Sequence, residues 1–309
     1  MNCSKTKEFI ILGFNVVPEF KFLLFIVFLF IYVLTLTTNI TIIMLVRFDS
    51  QLHSPMYFFI TNLSLLEIGY VSSTLPNLMF GLITGNKAIP FIACIAQLCC
   101  FSCLGSTELV LLPLMSYDRY LAICNPLRYA MLMSPEKCTK LAAMSWFLGT
   151  VVALAAFFMV TISCFCGPNI VEHFLCESAP LLKLSCSDVS TATSVLSNLS
   201  TVWILSSVFL TMLSYSFIIY AVVKIPSTSG MKKALSTCTS HFIVVFFFYT
   251  SVCVMYVHPS SSNTSRNKIS TVFYGIITPL LNPFVYSLRN KDMKNAFMKV
   301  LRKSRNMSL

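Results

Sequence analysis

Long hydrophobic runs recur along the chain, and short polar segments separate them. The first, residues 22–46, contains no charged residue and lies between Lys21 and Arg47. A helix needs about 20 apolar residues to cross a bilayer, and six further runs are of that kind: residues 56–80, 91–117, 141–164, 195–223, 238–257 and 269–288. They are far longer than the roughly ten-residue alternating segments of a membrane β-barrel. The pattern therefore predicts an all-α membrane protein built on a bundle of seven transmembrane helices.

The composition agrees with a lipid environment. Of the 309 residues, 56% are hydrophobic and 11% are charged, whereas about 25% are charged in an ordinary soluble domain. The first run is too long for the core of a signal peptide, and no small-residue cleavage site follows it. We therefore expect it to remain in the protein as a signal anchor.

The distribution of basic residues predicts the orientation in the membrane. If the N-terminus is outside, 15 of the 22 lysines and arginines fall in the inner segments and 7 in the outer ones, as expected because basic loops are retained in the cytoplasm. The chain is then an extracellular arm (residues 1–21), a transmembrane domain (22–288) and a cytoplasmic tail (289–309) in the plasma membrane. The net charge of +11 is divided among short loops, so it does not indicate nucleic-acid binding.

The predicted outer segments carry features of an oxidising, secretory compartment. Asn2 begins a glycosylation sequon in the N-terminal arm, and we expect it to be glycosylated. Four of the 13 cysteines lie in or beside outer loops, namely Cys94, Cys166, Cys176 and Cys186. They could form two disulfides in three ways, and spacing alone does not choose among them. A zinc site is the competing interpretation, but no cluster has tight ligand spacing because His173 stands alone.

The C-terminal segment predicts a short amphipathic surface helix. Within residues 290–303, apolar side chains recur at helical spacing at Met293, Ala296, Phe297, Val300 and Leu301, and the basic side chains occupy the other faces. Such a helix can lie on an anionic membrane surface, so membrane lipids are expected partners. An ordinary solvated helix is the alternative, and the position directly after a span favours the interfacial one.

A charged pair stands at the inner end of the third predicted span, within the run MSYDRYLAICNPLRY at residues 115–129. A helix-end arginine beside an acid can simply be snorkelling to the interface, but the whole run is more specific. It resembles the signature of rhodopsin-like G-protein-coupled receptors in its odorant-receptor form. Other segments resemble the same family and extend the match over nearly the whole chain: LHSPMYFF (52–59), KALSTCTSH (233–241) and PLLNPFVYSLRN (279–290), with Asn39, Trp146 and the pair Ser214-Tyr215.

This resemblance implies an odorant receptor that activates a stimulatory olfactory-type heterotrimeric G protein and raises cyclic AMP, in the cilia of olfactory sensory neurons. It implies the disulfides Cys94–Cys176 and Cys166–Cys186, and a resting state in which Asp118 restrains Arg119. The residues that it assigns to coupling and activation are Asp118, Arg119, Tyr120, Tyr215, Asn282, Pro283 and Tyr286. We expect no enzymatic activity, because the four histidines are scattered between opposite faces of the membrane. No cofactor is needed.

Pro283 lies inside the seventh predicted span. A proline removes one backbone hydrogen bond and frees a carbonyl, which makes a hinge at membrane depth if neighbours satisfy that carbonyl. Asn282 and Tyr286 are the expected neighbours. Pro113, inside the third span, departs from the family pattern and is expected to affect the kink of that helix.

Glu67 and Glu108 are the only acidic residues well inside the predicted spans. An ionisable group in a membrane is costly unless it is paired, hydrated or neutralised. The resemblance places both beside Asn39 and Asn282, which predicts a sodium-binding or protonation site. The alternative is a purely structural pair in which one acid is protonated, since two close carboxylates do not both ionise cheaply.

The ligand is expected between the helices in the outer half of the bundle. Helical spacing groups four residues on the third span, and the resemblance turns that face inward together with residues of the fifth and sixth spans. The predicted lining is Phe101, Ser102, Gly105, Ser106, Leu199, Trp203, Tyr249, Val252 and Tyr256. It contains no acid, so it favours small, neutral, hydrophobic ligands over amines. A rhodopsin-like receptor for a non-olfactory ligand remains an alternative, and a seven-helix transporter is disfavoured because no repeated halves are visible.

Overall fold

The computed structural model describes residues 6–14, 17–224, 239, 242–253, 264–288 and 291–307. Every predicted span has a helical counterpart: α1 (Pro18–Phe48), α2 (Pro55–Thr84), α3 (Phe91–Cys124), α5 (Pro135–Thr161), α7 (Ser190–Val223), α8 (Phe242–Cys253), and the continuous stretch of α9 (Thr264–Val272), a π-helical segment (Phe273–Ile277) and α10 (Thr278–Leu288). Two short helices, α4 (Pro126–Leu132) and α6 (Ser178–Leu182), lie in the connections. Helices α1, α3, α5 and α7 are long and apolar enough to cross a membrane. The predicted helical bundle is confirmed.

Prolines and one glycine set several helix ends. Helices α1, α2, α4 and α5 each carry a proline in the first turn, where its missing N–H would have no helical partner anyway. Helix α3 continues seven residues past the predicted end at 117 and stops at Cys124. Asn125 precedes Pro126, and the proline ring disfavours the helical conformation of the residue before it. Helix α2 ends at Gly85, whose φ of 71° is the left-handed conformation that glycine adopts readily.

Helix α3 is the centre of the bundle and packs against α2, α5 and α7. Of its most apolar stretch 61% is buried, against 11% for α1, which lies at the periphery against α2 and α10. Helices α3 and α5 approach each other closely at Gly149 of α5. A Cβ atom there would lie 2.7 Å from the carbonyl oxygen of Cys103 and 2.9 Å from the backbone nitrogen of Thr107, both in α3. Only a residue without a side chain permits this approach.

Pro113 interrupts the hydrogen-bond ladder of α3 without leaving a polar group unsatisfied. The proline has no N–H to donate to the carbonyl of Leu109, four residues earlier. Ser207 of α7 donates its hydroxyl to that carbonyl, and the same Ser207 hydroxyl bonds the hydroxyl of Tyr249 in α8. The Leu109 carbonyl that Pro113 frees is therefore the start of a hydrogen-bonded chain that connects α3, α7 and α8.

Three short strands form a sheet at one end of the bundle, which we call the sheet end. Strand β1 (Glu8–Ile11) lies in the middle, antiparallel to β2 (Ala88–Pro90) and parallel to β3 (Ile170–Val171). Alternate residues of β1 are buried, with Phe9 fully so. Part of the predicted N-terminal arm is thus built into the fold. Because only four residues alternate, the sequence did not reveal the strand.

Disulfides tie the segment 162–189, which we call the lid loop, to the sheet end of α3 and to itself. Cys94 of α3 is bonded to Cys176, and Cys166 to Cys186. These are the pairs that the family resemblance implies. Cys164 is disulfide-bonded as well, although the hydropathy pattern placed it inside a span. Helix α5 ends at Thr161, so Cys164 belongs to the lid loop.

Helix α11 (Lys291–Met307) follows α10 at the end of the bundle opposite the sheet. Met293 and Ala296 are buried against the core, whereas Lys294, Lys299 and Arg302 are exposed. The predicted amphipathic helix is present and extends four residues beyond the predicted end at 303.

We expect Gly149→Ala to destabilise the bundle, because its Cβ would meet backbone atoms of α3 that cannot move independently. Overpacking of this kind costs about 1–3 kcal/mol. The thermal midpoint of the detergent-solubilised protein measures the effect. Gly81→Ala is the matched control, since its Cβ would approach only the carbonyl oxygen of Asn86 at 3.4 Å and both substitutions gain the same helix propensity. Equal midpoints for the two variants would contradict the close packing.

We also expect acidification to weaken the lid loop through His173, which is 1% exposed. Burial, together with the charge of Lys268, lowers the pKa of His173 to about 3, from an ordinary value of about 6.5. Glu177 Oε2 lies 3.9 Å from His173 Nε2, beyond hydrogen-bonding distance. Between these two pKa values the unfolded state binds the extra proton, so stability falls as the pH falls, by about 2 kcal/mol from pH 7 to pH 5.

His173→Gln should flatten this dependence of the thermal midpoint on pH between 7 and 5. The exposed His53 provides the control, because His53→Gln should leave the dependence as it is. If both variants lose stability on acidification as steeply as the unaltered chain, the assignment to His173 is wrong.

Candidate functional site

A cavity of about 90 Å³ lies between the helices beneath the lid loop, and we call it the main cavity. Its wall is mainly aromatic and aliphatic, with the hydroxyls of four serines and two tyrosines. Seven of the nine residues predicted to contact ligand are in this wall: Phe101, Ser102, Gly105, Ser106, Leu199, Trp203 and Val252. Among the described residues, none in the wall of the main cavity is charged.

Phe101 is at the centre of an aromatic cluster in this wall. Its ring meets Tyr70 edge-on at 5.3 Å between centroids and Tyr274 at 5.6 Å. Two glycines make room for the cluster. A Cβ on Gly105 would lie 2.8 Å from the Tyr70 hydroxyl oxygen, and one on Gly275 would lie 3.3 Å from the Phe101 ring. Any added side chain would therefore rearrange the aromatic wall.

Two of the polar groups predicted near the ligand are engaged with the protein. The indole N–H of Trp203 in α7 donates to the carbonyl of Ser106 in α3 at 3.2 Å. Tyr249 does not line the main cavity, because its hydroxyl bonds Ser207 and, at 3.0 Å, Thr211 of α7. Tyr249 thus joins α8 to α7 beside the cavity. Tyr256 lies outside the described residues, as does Asn2.

Sequence reasoning missed ten residues of the cavity wall. Two of them, Leu196 and Ser200, stand one helical turn from Leu199 and Trp203, so helical spacing could have found them. Leu109, Ile204 and Phe248 also lie on spans that were predicted to contact the ligand, so their elements were expected there. The others come from elements whose contribution only the fold reveals: Tyr70, Val152, Ala156, Ser178 and Tyr274.

The lid loop closes the main cavity through polar contacts. Gln97 of α3 donates to the carbonyl of Ser73 in α2 at 2.7 Å and accepts from the backbone N–H of Cys176 at 2.9 Å. Glu177, which is buried, accepts a hydrogen bond from the Tyr274 hydroxyl at 2.6 Å. A second cavity of about 300 Å³ lies against the lid loop and shares Ser178, Leu196 and Ser200 with the main cavity.

The four residues predicted for the sodium or protonation site are all buried, and Asn282 donates to Glu67. Glu108 is close enough to Glu67 to interact with it electrostatically, and Tyr70 lies near Glu108. This cluster therefore joins α2, α3 and α10, and through Tyr70 it reaches the wall of the main cavity.

Asn39 satisfies the carbonyl that Pro283 frees, a contact that was predicted for Asn282 and Tyr286. Its amide donates to the carbonyl of Thr35 at 3.0 Å and to that of Pro279 at 3.4 Å. The Pro279 carbonyl is the one that Pro283 frees. The expectation that Asn282 would satisfy it was wrong, because the Asn282 amide donates to Glu67. The side chain of Tyr286 lies outside the described part of the chain.

Oxygen atoms beside this cluster are available to a ligand. Asn39 Oδ1 and Thr35 Oγ1 are both buried and have no hydrogen-bond partner among the described residues. With the Glu67 carboxyl, they form an oxygen-rich set of the kind that hard cations bind. No group of three or more His, Cys, Asp or Glu side chains within the described ranges could hold a metal ion.

Asp118 organises the charged end of α3. It is fully buried, pairs with Arg119 and accepts a hydrogen bond from the Tyr129 hydroxyl at 2.7 Å. Burial and the negative charge of Asp118 raise the pKa of Tyr129 above its ordinary range, so Tyr129 remains a donor. The carboxylate thereby holds α4 against the end of α3.

Aromatic residues surround this charged pair. The Tyr120 ring lies 5.6 Å from Phe217 of α7, and Tyr120 also packs against a buried cluster that contains Tyr215. The Tyr215 ring meets Phe242 of α8 edge-on at 5.3 Å. Four of the seven residues predicted for coupling, Asp118, Arg119, Tyr120 and Tyr215, thus lie together at this end of the bundle.

Comparison with known proteins agrees with this arrangement. A family model described as "Olfactory receptor" matches residues 28–304. The chain is similar to olfactory receptor 2B6 of Mus musculus, with 43% identity over 98% of the chain and 97% of that protein. It is also similar to two Homo sapiens proteins: olfactory receptor 11L1, with 46% identity over 98% of the chain and 94% of that protein, and olfactory receptor 6B3, with 43% identity over 96% and 90%.

The family match spans all seven predicted spans except the first residues of α1, and the relatives are similar over nearly their whole length. Members of this family are multi-pass membrane receptors for odorants that couple to G proteins, and they are not enzymes. The chain belongs to the olfactory receptor family.

Proposed function

We propose that this receptor binds small, neutral, hydrophobic odorants in the main cavity and activates a stimulatory olfactory-type G protein, which raises cyclic AMP in the cilia of olfactory sensory neurons. The observation that carries the proposal is the course of α3. This one helix contributes Phe101, Ser102, Gly105 and Ser106 to the cavity wall and carries the Asp118–Arg119 pair near its C-terminal end. A ligand in the cavity therefore contacts the helix that bears the coupling residues.

The size and lining of the main cavity support the ligand class. Its volume of about 90 Å³ is well below the roughly 300–1,000 Å³ of pockets for drug-sized ligands. A charged amine would need a counter-ion, and the part of the wall that the structure describes supplies none. Glu177, the buried acid of the lid loop, is already engaged with Tyr274. Serine hydroxyls suit a ligand with one carbonyl, ester or hydroxyl group.

The disulfides and the basic loops support an orientation of the receptor in the membrane. We place the sheet end outside the cell, because its disulfides form in an oxidising compartment, and the Asp118 end inside, where the basic loops lie. Odorant then enters from the sheet end. The second cavity, which lies against the lid loop and shares Ser178, Leu196 and Ser200 with the main cavity, offers a route.

Activation is a shift between two arrangements of the helices. At rest, Asp118 holds Arg119, and Tyr215 packs against Phe242 of α8. A ligand that binds the open arrangement more tightly favours the outward movement of α7 and α8 at the Asp118 end, which frees Arg119 and Tyr215 to contact the G protein. The hinge at Pro283 absorbs part of the change.

Cells that express the chain with an olfactory-type stimulatory G protein should raise cyclic AMP when exposed to a suitable member of a panel of neutral volatiles. Arg119→Ala should abolish the response at equal surface expression, because it removes the coupling cation. Gly105→Ala should instead raise the half-maximal ligand concentration about tenfold or more, with the maximum retained, because its methyl group meets Tyr70.

The two variants separate coupling from binding. A response that survives Arg119→Ala would contradict the proposed coupling, and an unchanged half-maximal concentration in Gly105→Ala would place the ligand elsewhere. Silence toward neutral volatiles despite surface expression, with a response to amines, would overturn the ligand class.

We further propose that Glu67, Asn39 and Thr35 hold a sodium ion, with Glu108 and Asn282 beside it, and that the ion favours the resting state. Two close acids in lipid cannot both remain charged without a cation or a proton. The unengaged oxygens of Asn39 and Thr35 favour the cation, whereas a proton would use only the carboxylates.

Sodium chloride should therefore raise the thermal midpoint of the purified receptor relative to choline chloride at equal ionic strength. The free energy of unfolding should rise by about 1 kcal/mol if sodium is present at about five times its Kd. Glu67→Gln should lose the difference, whereas the exposed Glu136→Gln should keep it. If the thermal midpoint is the same in both salts but changes with pH, the site holds a proton and not sodium.

A further inference from the structure

An apolar groove of about 350 Å³ lies on the outside of the bundle where α1, α10 and α11 meet. Ile42, Pro283, Phe284 and Phe297 form part of its wall, and Lys294 stands in the wall on α11. The groove is remote from the main cavity, with which it shares no lining residue. It is also distinct from the proposed sodium site, whose residues do not line it.

Three threonines of α1 also line the groove, but they offer no free polar group. The hydroxyls of Thr37, Thr38 and Thr41 donate to the carbonyls of Val33, Leu34 and Thr37 at 2.8, 2.7 and 2.6 Å. Each hydroxyl is therefore satisfied inside its own helix. The wall is apolar in effect, and it suits a hydrocarbon chain better than a polar ligand.

Lys294 is the one cation in the wall, and no carboxylate pairs with it among the described residues. Its neighbour Lys299 differs, because Lys299 Nζ lies 3.1 Å from Asp49 Oδ2 and 3.0 Å from Gln51 Oε1. Lys299 thus anchors α11 to the bundle. The charge of Lys294 remains uncompensated at the groove. A lysine ammonium is a point charge suited to phosphate.

We propose that this groove binds one anionic phospholipid of the leaflet in which α11 lies, with an acyl chain along α1 and the phosphate at Lys294. The apolar wall selects the chain, and the uncompensated cation selects the headgroup. Because Pro283 lines the groove, the bound lipid contacts the hinge of the seventh span. The proposal does not depend on the identity of the odorant.

Native mass spectrometry of the purified full-length receptor tests the site, with palmitoyl-oleoyl phosphatidylserine and the matching phosphatidylcholine as probes. The unaltered chain should retain phosphatidylserine about fivefold more than phosphatidylcholine at equal concentration. Lys294→Gln should remove this preference and leave phosphatidylcholine binding unchanged. Thr38→Phe fills the groove without a change of charge, so it should lower the retention of both lipids.

Arg302→Gln is the matched control, because Arg302 is exposed on the same helix and does not line the groove. It should keep the preference for phosphatidylserine. If Arg302→Gln and Lys294→Gln lose the preference equally, the attraction is diffuse and the site is refuted. Displacement of phosphatidylserine by cholesterol, or receptor dimers that Thr38→Phe abolishes, would assign the groove to a sterol or to a second copy instead. The thermal midpoint of each variant shows whether it has folded.

Discussion

Backbone groups inside a bilayer have no water to bond, so a carbonyl freed by a proline needs another partner. For Pro113 and Pro283 of this receptor, the partners are polar side chains of other helices, which also connect the bundle. Ser207 bonds the Leu109 carbonyl that Pro113 frees, and Asn39 bonds the Pro279 carbonyl that Pro283 frees. Between apolar helices in lipid there is little hydrophobic driving force. Contacts of this kind therefore determine how α1, α3, α7 and α10 are rotated relative to one another.

The same contacts lie next to the main cavity and to the buried cluster around Glu67. Ser207 also bonds Tyr249 of α8, the helix that borders the main cavity through Phe248 and Val252. Asn39 lies in the cluster with Glu67 and Asn282, beside the hinge. A movement of α8 or α10 therefore has to exchange a specific hydrogen bond. Two discrete arrangements of the bundle follow more naturally from such exchanges than a continuous deformation does.

The lid loop solves a different problem, which is to close a small apolar cavity with a polar segment. A buried loop contains backbone groups that need partners, and here the pairing with β1 and the Gln97 side chain supply some of them. The disulfides Cys94–Cys176 and Cys166–Cys186 hold the loop covalently. Glu177 and His173 are buried in the same segment, and both contact the seventh span, at Tyr274 and Thr271. The lid loop and the seventh span are thus held together beside the main cavity, whose wall includes Ser178 and Tyr274.

The sequence by itself determined the seven spans, the amphipathic α11 and the family, and the family resemblance indicated which side of α3 faces inward. Hydropathy is a property of each stretch of chain, and Phe101, Ser102, Gly105 and Ser106 share a face through helical spacing alone. Only the tertiary structure decided which side chains meet. Tyr249 bonds α7 and does not line the cavity, whereas Tyr70, Tyr274 and Ser178 do. Asn39 donates to the Pro279 carbonyl, and β1 pairs in the sheet. Helices that are apolar on every face carry no local signal of their rotation or depth, so pairs of residues far apart in the chain are settled only when the whole bundle packs.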